Sequence, residues 1–159
     1  MKKEKCICSE WDKKGWSTCG FPCPVHNKKM KQSKLPLAKL KRKAKKLFFA
    51  YIKKRDGNTC ISCGKRGLVG QNWHAGHYLK SELCNLEYMF NEKNVNSQCG
   101  RCNLWLRGNT IEYRKAMLLK YGKITVKVLE EHYKDTLPTN FNKHDFYCKL
   151  IEKYEKYKV

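Results

Sequence analysis

The chain has 159 residues, 41% of them hydrophobic, and carries 35 Lys and Arg against 14 Asp and Glu, a net charge of +21. That hydrophobic share excludes a globally disordered chain, and the length fits one compact domain with at most a small appendage. Positive charge on this scale repels itself unless a polyanion relieves it, so nucleic acid is the expected partner. A membrane is not: no apolar run approaches the ~20 residues of a span, and the basic stretch lacks the long apolar face of an interfacial helix.

The first 27 residues are rich in Cys, Gly and Pro, and they begin Met1-Lys2-Lys3-Glu4-Lys5 with no apolar stretch of a secretory signal. The expected compartment is therefore reducing and cytoplasmic. There, ten cysteines read as metal ligands rather than disulfides. Cys6, Cys8, Cys19, Cys23 and His26 form a candidate zinc knuckle over residues 1–27. The simplest ligand set is Cys6 or Cys8 with the other three, because Cys6-x-Cys8 is tight for a double ligand.

Residues 28–56 form a basic connector and an amphipathic helix. From Lys13 to Arg55 there are fifteen Lys or Arg and no acidic residue. Leu37, Leu40, Ala44, Leu47, Phe48 and Tyr51 fall at helical intervals, predicting a helix from Leu37 to about Arg55 that stops at Asp56-Gly57-Asn58. Its outer face carries Lys39, Lys41, Arg42, Lys43, Lys45, Lys46, Lys53 and Lys54, the candidate phosphate contacts. Such contacts give position and salt dependence but no sequence readout.

Residues 57–122 hold the candidate site. A zinc-knuckle turn at Cys60-x2-Cys63 is expected to lead into a short twisted hairpin within residues 59–80, followed by an irregular loop over residues 81–98. Cys99-x2-Cys102-Asn103 is expected to open a helix to about Arg107, with Asn109-Thr110 capping a second helix that ends near Tyr121-Gly122. Over residues 123–159, a short helix is expected from about Thr125 to Tyr133. After a loop comes a C-terminal helix with Phe146, Leu150, Ile151, Tyr154 and Tyr157 on one face. Cys84 and Cys148 read as small apolar residues, and His132 and His144 as surface residues. Trp11, Trp16 and Trp105 read as core or knuckle residues, with stacking on unpaired bases the alternative.

The two Cys-x2-Cys pairs, with 35 residues between them, each suit adjacent corners of a tetrahedral zinc site. Four thiolates leave no open position for water, so such a zinc is structural and acts by clamping what lies between the pairs.

Between and after the pairs lie His74-Ala75-Gly76-His77-Tyr78, Phe90-Asn91-Glu92-x-Asn94-Val95 and Gln98-Cys99-x2-Cys102-Asn103. Arg55-Asp56 precedes them, and Gly108-Asn109-x3-Tyr113-Arg114 follows. This order resembles the zinc-bearing HNH (ββα-metal, His-Me finger) nuclease module, related to zinc-bearing Holliday-junction resolvases. Within it, the chain is most similar to the phage recombination proteins called NinG or Rap. The likeness runs from about residue 47 to residue 130, and more loosely into the Cys/His-rich start.

The resemblance implies a small zinc-stabilised α+β fold, with a ββα-metal core, flanking helices and an N-terminal zinc knuckle. It also implies a metal-dependent DNA endonuclease acting on Holliday junctions or D-loops in phage recombination, within the host cytoplasm. His77 would be the general base, Asn103 an oxygen ligand to Mg2+ or Mn2+, and Asn94 a brace for the loop beneath the base. His74 is a candidate further ligand. On a strand, however, a residue three positions before His77 points to the opposite face. Many relatives place Asp or His directly before the base, and here that position is Gly76. Paired cuts across a branch call for a homodimer. The competing readings are a non-catalytic zinc-stabilised DNA-binding accessory protein and a homing or restriction-like HNH nuclease.

Overall fold

The computed structural model describes residues 35–157, so the knuckle expected from Cys6, Cys8, Cys19, Cys23 and His26 lies outside the described residues. Helix α1 spans Leu37–Asp56 and stops at Gly57, whose left-handed φ of 59° suits a residue without a Cβ. Its buried stripe is Leu40, Ala44, Leu47, Phe48 and Ile52. Leu37, expected on that stripe, is instead 43% exposed, because it sits in the first turn, ahead of the elements that cover the helix.

Strand β1 (Trp73–His77) pairs antiparallel with β2 (Val95–Cys99) in the register Trp73↔Cys99 to His77↔Val95. This corrects two expectations. The hairpin is not local to residues 59–80, and residues 81–98 are not an irregular loop: they contain helix α2 (Leu86–Met89) and all of β2 up to Gln98. The strand escaped notice because all five β2 residues are buried, including the polar Asn96, Ser97 and Gln98. Both faces are covered, so no polar–apolar alternation is written into the sequence.

The helix expected after Cys99 is present as a five-residue π-helix, Arg101–Trp105, two residues short of Arg107. Helices α3 (Thr110–Tyr121) and α4 (Lys123–His132) are separated by Gly122, with φ 81°, so α4 begins two residues before Thr125. Helix α5 spans Lys143–Glu155, and the Asn142 side chain accepts from the backbone N–H groups of His144 and Asp145 at its start. Its buried residues are Tyr147, Ile151 and Tyr154. Phe146 and Leu150 flank that stripe rather than form it, and Tyr157 is 43% exposed.

The sheet is sandwiched. On one side α1, α5, Phe90 and Val95 share one apolar core; on the other, Tyr78 packs with Tyr113, Met117, Val126 and Leu129 from α3 and α4. Arg55 and Asp56 bolt α1 to the strand. Arg55 donates to the carbonyl oxygens of Glu92 and Val95 and to Asn96 Oδ1, and Asp56 accepts from the Ser97 backbone N–H at 2.8 Å.

Candidate active site and metal centre

A third buried cluster is made of Cys60, Leu68, Cys99 and Cys102. The Sγ atoms of Cys60, Cys63, Cys99 and Cys102 all lie within 4.8 Å of one another. Cys63 and Cys99 are 3.8 Å apart, matching the ~3.8 Å edge of a tetrahedron with ~2.3 Å zinc–sulfur bonds. Backbone and side-chain N–H groups point at the sulfurs, Cys102 N–H at Cys99 (3.4 Å) and Asn109 Nδ2 at Cys102 (3.5 Å). Burial pushes the Cys102 thiol up to about 12, whereas Cys99, despite burial, is held below its ordinary value by the Cys102 N–H. The cluster can hold a metal such as zinc.

Asn109 was expected to cap α3. It occupies the capping position, but at φ 45° its side chain makes no cap bond and turns to Cys102 instead. Arg107, Gly108 and Asn109 all have positive φ, of 49°, 98° and 45°. Three consecutive left-handed residues are costly for the two that carry side chains. The turn they make aims the Gly108 carbonyl at the Gln98 side chain, which donates to it at 2.8 Å.

The reactive-looking groups sit on β1. Alternation along the strand places Trp73, Ala75 and His77 toward α1, and His74 and Gly76 toward the π-helix and α3. The two sides meet in one cleft of about 570 Å³, lined by His74, His77 and Asn103 together with Lys45, Lys53 and Arg107. So His74 and His77 face opposite ways along the strand, yet both border one space.

His77 is half-buried, with its ring edge-on to Phe49 at 5.9 Å. Its Nε2 lies 3.0 Å from the Met89 carbonyl oxygen. A carbonyl only accepts, so Nε2 carries the proton and Nδ1 of the neutral ring has a free lone pair. Burial, aided by the Lys45 charge, holds His77 below its ordinary value against the pull of that hydrogen bond. Asn94 is fully buried and does not line the cleft. It accepts from the Leu79 N–H and donates to the carbonyl oxygens of Tyr88 (2.9 Å) and Leu79 (3.3 Å), tying the end of β1 to α2, which presents Met89.

Asn103, on the π-helix, reaches under Gly76: a Cβ built on Gly76 would lie 3.0 Å from Asn103 Oδ1 and 2.0 Å from Gln98 Oε1. Gln98 Oε1 and His74 Nε2 are buried and lack any hydrogen-bond partner.

Of the eight basic side chains expected at phosphate, Lys45 and Lys53 line this cleft and Lys41 lies in the adjoining hollow beside His77. Lys43 turns away to Glu155 at 3.4 Å. Lys39, Arg42, Lys46 and Lys54 are exposed but do not line the cleft. Lys80, Arg107 and Gln98 were missed. The i, i+4 row Lys41-Lys45-Phe49-Lys53 was available as a signal; the position of Gln98 depends on strand pairing and was not. Trp105, read as a core residue, is 84% exposed, because the π-helix ends as the chain leaves the metal cluster and nothing among the described residues packs over it.

The family model described as bacteriophage lambda NinG protein matches residues 24–158. The chain belongs to the NinG family of phage proteins. It is 34% identical to protein ninG of Escherichia phage lambda over 65% of this chain and 47% of that protein. To protein ninG of Escherichia phage 933W it is 26% identical over 89% of this chain and 83% of that one. To protein ninG of Salmonella phage P22 it is 35% identical over 54% and 41%. The match thus spans about half the length of the lambda relative. No solved structure matches significantly. Among the described residues, no helix is long and apolar enough to cross a membrane.

Proposed function

We propose that this NinG-family chain is a metal-dependent DNA endonuclease of HNH type that acts on branched recombination intermediates in the host cytoplasm. The observation that carries the reading is the His77 ring. Its Nε2–H is committed to the Met89 carbonyl, its Nδ1 is free, and it borders a cleft shared with Asn103 and the cations of Lys45, Lys53 and Arg107.

Phosphodiester hydrolysis needs a base for water, a counter-charge for the phosphorane and a way to hold the strand. His77 Nδ1 takes a proton from the attacking water as its oxygen bonds to phosphorus. An ester P–O bond then breaks, and the leaving oxygen is protonated from solvent. Lys45, Lys53 and Arg107 hold the flanking phosphates. A divalent cation such as Mg2+ or Mn2+ would supply charge neutralisation at the phosphate, with Asn103 and, as a further candidate, His74 to hold it. The unpartnered buried Gln98 oxygen, which shares the Gly76 hollow with Asn103 Oδ1, fits such an ion. The preference for branches rests on the NinG/Rap resemblance, and paired cuts across a branch would require a homodimer.

The second reading is a non-catalytic DNA-binding accessory protein, favoured by Gly76, which places no ligand directly before His77. Labelled linear, forked and four-way DNA would be incubated with the protein and Mg2+ or Mn2+, alongside His77→Ala and Asn103→Ala. The nuclease reading expects nicks at branches that both variants lose. Binding without any cutting would establish the accessory reading, and equal cutting of linear duplex would overturn branch preference in favour of a homing or restriction-like nuclease.

A further inference from the structure

Gln98 is fully buried near the C-terminal end of β2, and its amide is oriented by its neighbours. Nε2 donates to Ser62 Oγ at 2.7 Å and to the Gly108 carbonyl at 2.8 Å. Since the Gly108 carbonyl only accepts, the nitrogen faces it and the oxygen faces the other way. That oxygen has no partner. A buried acceptor left bare is unfavourable, a cost removed once something electropositive occupies the space before it.

What lies before it is the backbone of Gly76 and the side chain of Asn103. Gln98 Oε1 and Asn103 Oδ1 lie 2.0 and 3.0 Å from the point where a Gly76 Cβ would be. The two oxygens are therefore no farther apart than the sum of those distances. With the Gln98 amide in this position, a side chain at position 76 would collide with Gln98 Oε1 and force that amide to shift. Position 76, directly before His77, is the place from which a strand residue would offer a carboxylate next to Asn103. In this chain an oxygen from the neighbouring strand fills that place.

We propose that Gln98 Oε1 and Asn103 Oδ1 together form a divalent-cation site, with Gln98 supplying from β2 the oxygen that Gly76 cannot supply from β1. The assignment rests on the cation-dependent reading above and names the ligand that reading lacks. Two neutral amide oxygens and a remaining shell of water suit Mg2+ or Mn2+, hard ions that keep several waters. A neutral ligand pair also implies weaker binding than a carboxylate would give.

The test uses the zinc-loaded full chain titrated with Mn2+ and followed by electron paramagnetic resonance of the free ion. Wild type is expected to bind a single Mn2+. Gln98→Ala and Asn103→Ala are each expected to weaken it by about tenfold or more, with zinc content and thermal melting confirming the fold. Gly76→Asp combined with Gln98→Ala is expected to restore binding, because the carboxylate enters the space the glutamine vacated. A role in packing alone would not predict that rescue. Should Gln98→Ala fail to fold, wild-type nuclear magnetic resonance still decides: substoichiometric Mn2+ is expected to broaden the side-chain NH2 signals of Gln98 and Asn103 first. Undiminished Mn2+ affinity in folded Gln98→Ala, or a sharp Gln98 NH2 while other signals broaden, overturns the site. Mn2+ bound through Gln98 in a protein that cuts no DNA leaves the site standing and sinks the nuclease. DNA cutting with Gln98 shown irrelevant to Mn2+ does the reverse.

Discussion

His77 donates from Nε2 to the Met89 carbonyl oxygen at 3.0 Å, and that one bond decides which ring nitrogen can act as a base. Burial keeps the ring's pKa below 6.5, so the neutral, proton-accepting form persists at neutral pH. The sign follows directly: a base works when deprotonated, so cleavage is expected to fall only as pH drops through a value below 6.5. A pH–rate profile in Mg2+ checks this, and an acid limb centred above that value would contradict it. His77→Ala is expected to lower the rate by about 100-fold or more while leaving DNA affinity near wild type.

The cysteine cluster gives a prediction independent of catalysis. Cys60→Ser with Cys63→Ser is expected to release a zinc from a total of about two per chain and to unfold the segment between the pairs. Elemental analysis and far-ultraviolet circular dichroism would read both. A total of one zinc in wild type would remove the N-terminal site formed from Cys6 or Cys8 with Cys19, Cys23 and His26.

Asp56 joins α1, β2 and α3. Its carboxylate accepts from Arg55, the Ser97 backbone N–H and Lys120 at 2.7–2.8 Å, and its side chain is only 8% exposed. Burial alone would raise its pKa, but these three donors outweigh burial and hold it below 3.8. The folded state thus favours the charged form, a stabilisation present above the unfolded value and lost as pH falls through the folded one. Asp56→Ala leaves the Ser97 N–H without its acceptor and removes the carboxylate from Arg55, which keeps its bonds to Glu92, Val95 and Asn96, and from Lys120, so a loss of about 1–3 kcal/mol is expected in urea denaturation at pH 7.

The basic helix is expected to act through one row. Lys45→Ala and Lys53→Ala each remove a cation that lines the cleft and should reduce the salt dependence of DNA binding by about one unit of slope apiece. Lys43→Ala removes a cation paired with Glu155 and is expected to change that slope little. Equal effects from all three would mean that phosphate is spread along the helix.

Much of this molecule was legible in one dimension. The spacing of Cys60, Cys63, Cys99 and Cys102 named the metal cluster, because two chelating pairs carry their geometry in their own short loops. The apolar intervals of α1 and α5 gave both helices, since helical periodicity is local. Only the tertiary structure decided what β2 is and where the Gln98 side chain points. A strand buried on both faces writes no alternation, and a ligand delivered by a neighbouring strand depends on a pairing register that no local interval encodes. Gly76 read from the sequence as a missing ligand. In the structure it is the space into which the Gln98 oxygen points.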